Sequence, residues 1–195
     1  MSLDLNAKQT ALVLIDLQGG ILSRSLAPYS GAEVVERCAK LAEATRQAGG
    51  LVVYVHVLLG EILRLAADKM QPAPVTAPPA SASELVTEAG FRDGDVLVTK
   101  RQWDAFYATN LEQTLQRRGA KTIIMGGIAT NFGVESTARS AQARGYELVF
   151  AEDAMSTMSA EMHEFSTKQL FPVIGRVRRT DEIIAALGKA HSAVG

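Results

Sequence analysis

The chain carries one cysteine, Cys38, in 195 residues. A single thiol excludes an internal disulfide framework and any metal site built from several thiolates. No apolar run is long enough to span a bilayer. Neither sign of charge is in surplus: the formal net charge is −1. The electrostatic footprint of a nucleic-acid or anionic-membrane binder is therefore missing. The first residues, M-S-L-D-L-N-A-K, lack the charged-then-apolar layout of a signal peptide, so a cytoplasmic location is expected. No internal repeat is present. What remains, 47% hydrophobic and 21% charged residues, fits one domain over 1–195 with a substantial core.

A continuous apolar run at 11–15, A-L-V-L-I, ends in Asp16, with Gln18 two residues on. Such a run suits a strand buried on both faces of a parallel sheet. Asp16 then stands at the strand's carboxyl end, as a cap or as a functional acid. A helix is expected over 32–48, with Val34, Val35, Cys38, Leu41 and Ala42 on one face and Gly49-Gly50 as its stop. Residues 51–57, L-V-V-Y-V-H-V, read as a second buried strand. His56 reads as a hydrogen-bonded histidine beside the sheet, because a zinc site wants further ligands close by and the next histidine is His163. Segment 57–93 holds Pro72, Pro74, Pro78 and Pro79. Short helices are expected near 61–70 and 84–89, with an extended crossing over 72–80. A connection this long is functional, disordered or a lid.

A third strand at 95–99 delivers Lys100. Arg101, Trp103 and Phe106 follow it as a cation–aromatic cluster that walls a pocket or packs. A helix at 109–118 and a fourth strand at 121–125 lead to the most informative stretch. Residues 123–137, I-I-M-G-G-I-A-T-N-F-G-V-E-S-T, read as a strand, a tight turn at Gly126-Gly127 and the start of a helix that runs to 144. A fifth strand at 146–150 precedes E-D-A-M-S, where Asp153 caps the next helix or orients a cation. A helix at 160–170, a sixth strand at 173–177 and a last helix at 181–189 complete the pattern.

Six strands alternating with helices imply a three-layer α/β/α fold: a six-stranded, mostly parallel, Rossmann-like sheet with helices on both faces. Right-handed crossovers place every strand's carboxyl end on one edge. Asp16, Lys100 and the turn at 127–133 then share the edge where open α/β sheets bind ligands. An acid, a base and a row of backbone N–H groups together can make a site.

Three blocks resemble the isochorismatase-like hydrolases, the superfamily that also holds nicotinamidases and N-carbamoylsarcosine amidases. They are A-L-V-L-I-D-L-Q around Asp16, V-T-K-R-Q-W-D-A-F around Lys100, and G-G-I-A-T-N-F-G-V-E-S-T-A-R-S-A with the later G-Y-E-L-V-F-A-E-D-A-M-S. The resemblance covers nearly the whole chain. In the amidase members an Asp, a Lys and a Cys act together. By resemblance Asp16 and Lys100 fill the first two places, and Gly133 stands in the third. Glycine has no side chain to serve as nucleophile, so only its backbone can act. Cys38, on the first helix, reads as small apolar packing.

The isochorismatases proper also lack that cysteine and cleave a vinyl ether without a covalent intermediate. The resemblance thus implies a cofactor-independent hydrolase acting on a small organic acid. Asp16 is its general acid, and Lys100 holds a substrate carboxylate or sets the protonation state of Asp16. The resemblance also implies a non-proline cis peptide at Ile128–Ala129 that aims the N–H groups of Ala129 and Gly133 at a substrate oxygen. Gln18, Trp103, Ile128, Ala129 and Thr130 are the expected substrate contacts. Nicotinamidases hold a metal with an Asp and histidines in the second-strand loop; only His56 is near that place here, so neither metal nor cofactor is expected. A homo-oligomer, dimer or tetramer, is implied. Two other readings stay open: a C–N hydrolase using activated water, and a silent relative that binds a small carboxylate.

Overall fold

In the computed structural model, which describes residues 3–69 and 76–192, the apolar run after Gln9 forms a central strand. This is β1 (Thr10–Ile15), buried along its whole length. It pairs in parallel with β2 (Leu51–Val57) on one side and β4 (Thr122–Ile128) on the other. The sheet continues outward through β3 (Val96–Lys100) on one flank, and through β5 (Glu147–Ser156) and β6 (Arg176–Arg178) on the other. All pairings are parallel, in the order β3-β2-β1-β4-β5-β6.

Alternation along β1 splits the core in two. Leu12 and Leu14 pack under α2 (Gly31–Gln47) and α7 (Thr180–Ser192). Val13 and Ile15 pack under α3 (Leu111–Arg117) and α4 (Glu135–Ala143). Helices on both faces leave the sheet's carboxyl edge as the place where loops meet. The short α1 (Gly19–Leu22), α5 (Ala160–Phe165) and α6 (Phe171–Ile174) complete the helices.

Four local expectations are corrected. Gly126 and Gly127 are not a turn; β4 runs through both. A Cβ on Gly127 would lie 2.1 Å from the Ile15 carbonyl oxygen, and its φ is +109°. Gly127 lets β4 close on β1, and the chain turns only after Ile128. The strand expected at 173–177 begins only at Arg176, because 171–174 are helical, with Phe171 stacked on Phe150 at 4.0 Å. In segment 57–93 the described residues form three 3₁₀ turns, Leu59–Glu61, Ala80–Ser83 and Thr87–Ala89, in place of two short helices. Pro72, Pro74 and the first part of the expected crossing lie outside the described residues. Asp153 does cap a helix, but a distant one: its Oδ1 accepts from Thr180 N at 2.7 Å and from Thr180 Oγ1 at 2.8 Å, at the start of α7.

Candidate active site

β1 ends where Asp16 adopts a positive φ of 53°. Asp tolerates this left-handed conformation better than most residues, at a cost of about 1 kcal/mol. Such an outlier is a pointer to function when the surroundings hold it in place. Here Asp16 N donates to Val55 O at 2.8 Å, which extends the β1–β2 ladder by one bond. Asp16 is no helix cap, since its Oδ2 lies 2.9 Å from Lys100 Nζ.

Lys100 arrives at the end of β3 and is 1% exposed; Asp16 is 6% exposed. Lys100 Nζ also donates to Trp103 O at 2.9 Å. Asp16 Oδ1 is buried with no hydrogen-bond partner. Burial raises the Asp16 pKa above the usual carboxylate value; the charge and hydrogen bond of Lys100, and the charges of His56 and Arg24, pull the other way. A buried carboxyl with an unpartnered oxygen and a raised pKa is equipped to hold and deliver a proton.

Gly133 lies beside this pair. A Cβ there would be 3.0 Å from Lys100 Nζ and 3.4 Å from Asp16 Oδ2. It sits in the wide π-type turn Thr130–Val134, which precedes α4. The Ile128–Ala129 peptide before that turn is cis. Thr137 ties the turn to the loop after β3, since its Oγ1 donates to Gly133 O at 2.7 Å and accepts from Ala105 N at 3.0 Å. The loop bearing Trp103 is thereby fixed to the turn bearing Gly133. The Trp103 ring, 57% exposed, meets Phe132 edge-on at 4.9 Å. The two rings make an aromatic rim next to the acid.

Three expected substrate contacts point elsewhere. Gln18 is fully buried; both amide hydrogens are spent on Val57 O and Ser83 O at 2.9 Å, and its Oε1 accepts from Val57 N at 2.8 Å. It clamps the excursion to β2 because its side chain completes backbone bonds that no strand provides. Ile128 is buried in the core under α2. Thr130 is fully buried, with Oγ1 2.9 Å from His163 Nδ1. Burial keeps the His163 pKa below its usual value, so a neutral ring braces the turn. Ala129 is half-buried, and its carbonyl accepts from Phe132 N and Val134 N.

Phe132 and His163 were missed by sequence reasoning. Phe132 had a signal, its place next to Gly133, whereas His163 comes from a distant helix with none. The ring nitrogens of His56 are taken, 2.9 Å from Ser83 O and 2.7 Å from Thr99 Oγ1. Among the described residues no three His, Cys, Asp or Glu side chains are grouped to hold a metal ion. Cys38 is buried on the inner face of α2, and burial pushes its thiol well above the ordinary range. No helix among the described residues is long and apolar enough to cross a membrane.

The family model described as the Isochorismatase domain matches residues 10–182, a span that contains Asp16, Lys100 and Gly133. The chain belongs to the isochorismatase family. It is a hydrolase of that family. The isochorismatase family protein YecD of Escherichia coli is 47% identical to it over 95% of this chain and 100% of its own. The solved structure of an isochorismatase family protein from Burkholderia thailandensis superposes with a TM-score of 0.90 at 40% identity, covering 96% of this chain and 100% of that one. The ureidoacrylate amidohydrolase RutB of Variovorax paradoxus is 29% identical over 96% of this chain and 85% of its own.

Proposed function

We propose that this hydrolase cleaves a vinyl ether, or a closely related bond, in a small organic acid, with Asp16 as general acid and no covalent intermediate. The observation that carries this reading is the buried Asp16 carboxyl, with a free Oδ1, next to a position that holds no side chain. Asp16 gives its proton to the terminal carbon of the enol ether, and the cation that forms is an oxocarbenium. Water adds to the neighbouring, oxygen-bearing carbon of that cation, and one of its protons leaves with the departing alcohol. The adduct collapses to a carbonyl compound and an alcohol, and the second proton of the water restores Asp16. Lys100, 2.9 Å away, stabilises the carboxylate left after transfer. The N–H groups of Ala129 and Gly133 are assigned to a substrate oxygen, and the Trp103–Phe132 rim to the substrate's body.

A second reading rests on the likeness to an amidohydrolase. A water activated by Asp16 acting as base would attack an amide carbon. Burial raises the Asp16 pKa, in the direction of the proton-bearing form that the acid role needs.

Turnover of isochorismate by the purified protein, beside Asp16→Ala and with nicotinamide as control, tests the proposal. Hydrolysis of isochorismate that falls at least 1,000-fold in the variant is expected. Hydrolysis of nicotinamide in its place would favour the amide reading.

A further inference from the structure

Wide π-type turns such as Thr130–Val134 are rare and recur at functional sites. Side chains from one further segment hold both ends of this one. At its start, Thr130 Oγ1 lies 2.9 Å from His163 Nδ1, and Asn131 Oδ1 accepts from Thr157 Oγ1 at 2.6 Å. Directly after it, Glu135 Oε2 accepts from Ser166 Oγ at 2.8 Å. Thr157, His163 and Ser166 all lie on the stretch that leaves β5 and becomes α5. Ser166 continues α5 in helical conformation. His163 and Ser166 are three residues apart, so they share one face of that helix. Thr130, His163 and Ser166 are buried, so water does not compete for these bonds. The segment is itself fastened. Ser159 caps α5, accepting from Met162 N at 3.3 Å; Thr167 Oγ1 donates to His163 O at 2.9 Å; and the Tyr29 ring meets His163 edge-on at 6.1 Å.

Between the two anchors lie Phe132 and Gly133. A Cβ on Gly133 would be 3.4 Å from Asp16 Oδ2, and Phe132 forms the aromatic rim with Trp103. A shift of the turn therefore moves the rim and the backbone beside the acid together. We propose that His163 and Ser166 are positioning residues, which together hold the turn that presents Ala129, Phe132 and Gly133 to the substrate. The proposal rests on the hydrolase reading above, which gives Ala129 and Gly133 their roles. Both residues act through the turn and not on the reacting atoms. Such support matters because a misplacement of about 1 Å near the chemistry can cost about 100-fold in rate, and a site keeps its geometry only when surrounding hydrogen bonds lock it.

Trp103 is the chain's single tryptophan, and its ring rests on Phe132, so its fluorescence reports on the turn. The test is acrylamide quenching of that emission in folded protein, beside turnover of isochorismate. His163→Leu and Ser166→Ala should each raise the quenching constant, and the double variant should raise it more. His163→Asn returns a polar atom to the place of Nδ1 and should recover part of the change. Gly49→Ala, at the opposite edge of the sheet, is the control for stability alone: it should melt earlier and keep native quenching. For His163→Leu and Ser166→Ala, kcat should fall about 10- to 100-fold, with KM little changed. Native quenching in both variants would overturn the proposal. So would altered quenching with native kcat, or the same change in Gly49→Ala. If His163→Leu does not fold, Ser166→Ala decides alone. A native protein inactive on isochorismate would end the vinyl-ether reading, and quenching would still decide whether His163 and Ser166 hold the turn.

Discussion

A methyl group on Gly133 would stand 3.0 Å from Lys100 Nζ. The Asp16–Lys100 pair therefore comes this close to the turn at Gly133 because residue 133 has no side chain. Gly133 does not need to be glycine for its backbone, since its φ is not among the positive ones.

Gly133→Ala separates space from folding. The new Cβ would meet the ends of two side chains, Lys100 Nζ and Ile15 Cγ2, at 3.0 Å. Alanine gains about 1 kcal/mol over glycine in a helical setting, which offsets that crowding. Urea unfolding should shift by no more than about 1 kcal/mol. Turnover should drop at least ten-fold, because the methyl group occupies the place of water or substrate. A fully active Gly133→Ala protein would show that this space is not used.

Gly127→Ala should behave in the opposite way. Its Cβ would lie 2.1 Å from Ile15 O and 2.5 Å from Ile15 N, both backbone atoms of the central strand, at a φ of +109°. Neither atom can move without breaking the sheet. A loss above about 4 kcal/mol, or no soluble protein, is expected. Gly49→Ala is the control: its φ is +81° but nothing lies within 4 Å of the added Cβ, so strain alone should cost about 1 kcal/mol. Similar unfolding midpoints for the two variants would rule out the strand contact as the reason for Gly127.

The parallel sheet and the shared edge were legible because β1 and β2 are strongly apolar runs, and each strand delivers its next residue to a fixed side. Asp16 and Lys100 were placed by that rule, and the structure brings them within 2.9 Å. Gly126-Gly127 misled because a glycine pair has the same sequence signature in a turn as in a strand pressed against another. The outcome depends on the Ile15 backbone, which is over a hundred residues away. Gln18 misled for a related reason. Its position two residues after the acid suggested a ligand contact, but the unpaired Val57 N–H and O need an amide more. The brace of Thr130 by His163 depends on a helix whose packing no local pattern reveals.

The central claim is that Asp16 is an acid held protonated by burial against the pull of Lys100. The measurement that tests it most directly is titration of the Asp16 carboxyl carbon by NMR in the native protein and in Lys100→Met. The native midpoint should lie above the ordinary value of 3.8, and turnover that needs the acid form should decline as pH rises through the midpoint of the substrate complex. Removing the cation removes the main downward influence, so the Lys100→Met midpoint should move further up. A native midpoint below 3.8, with activity rising as Asp16 ionises, would contradict the account and make Asp16 a base.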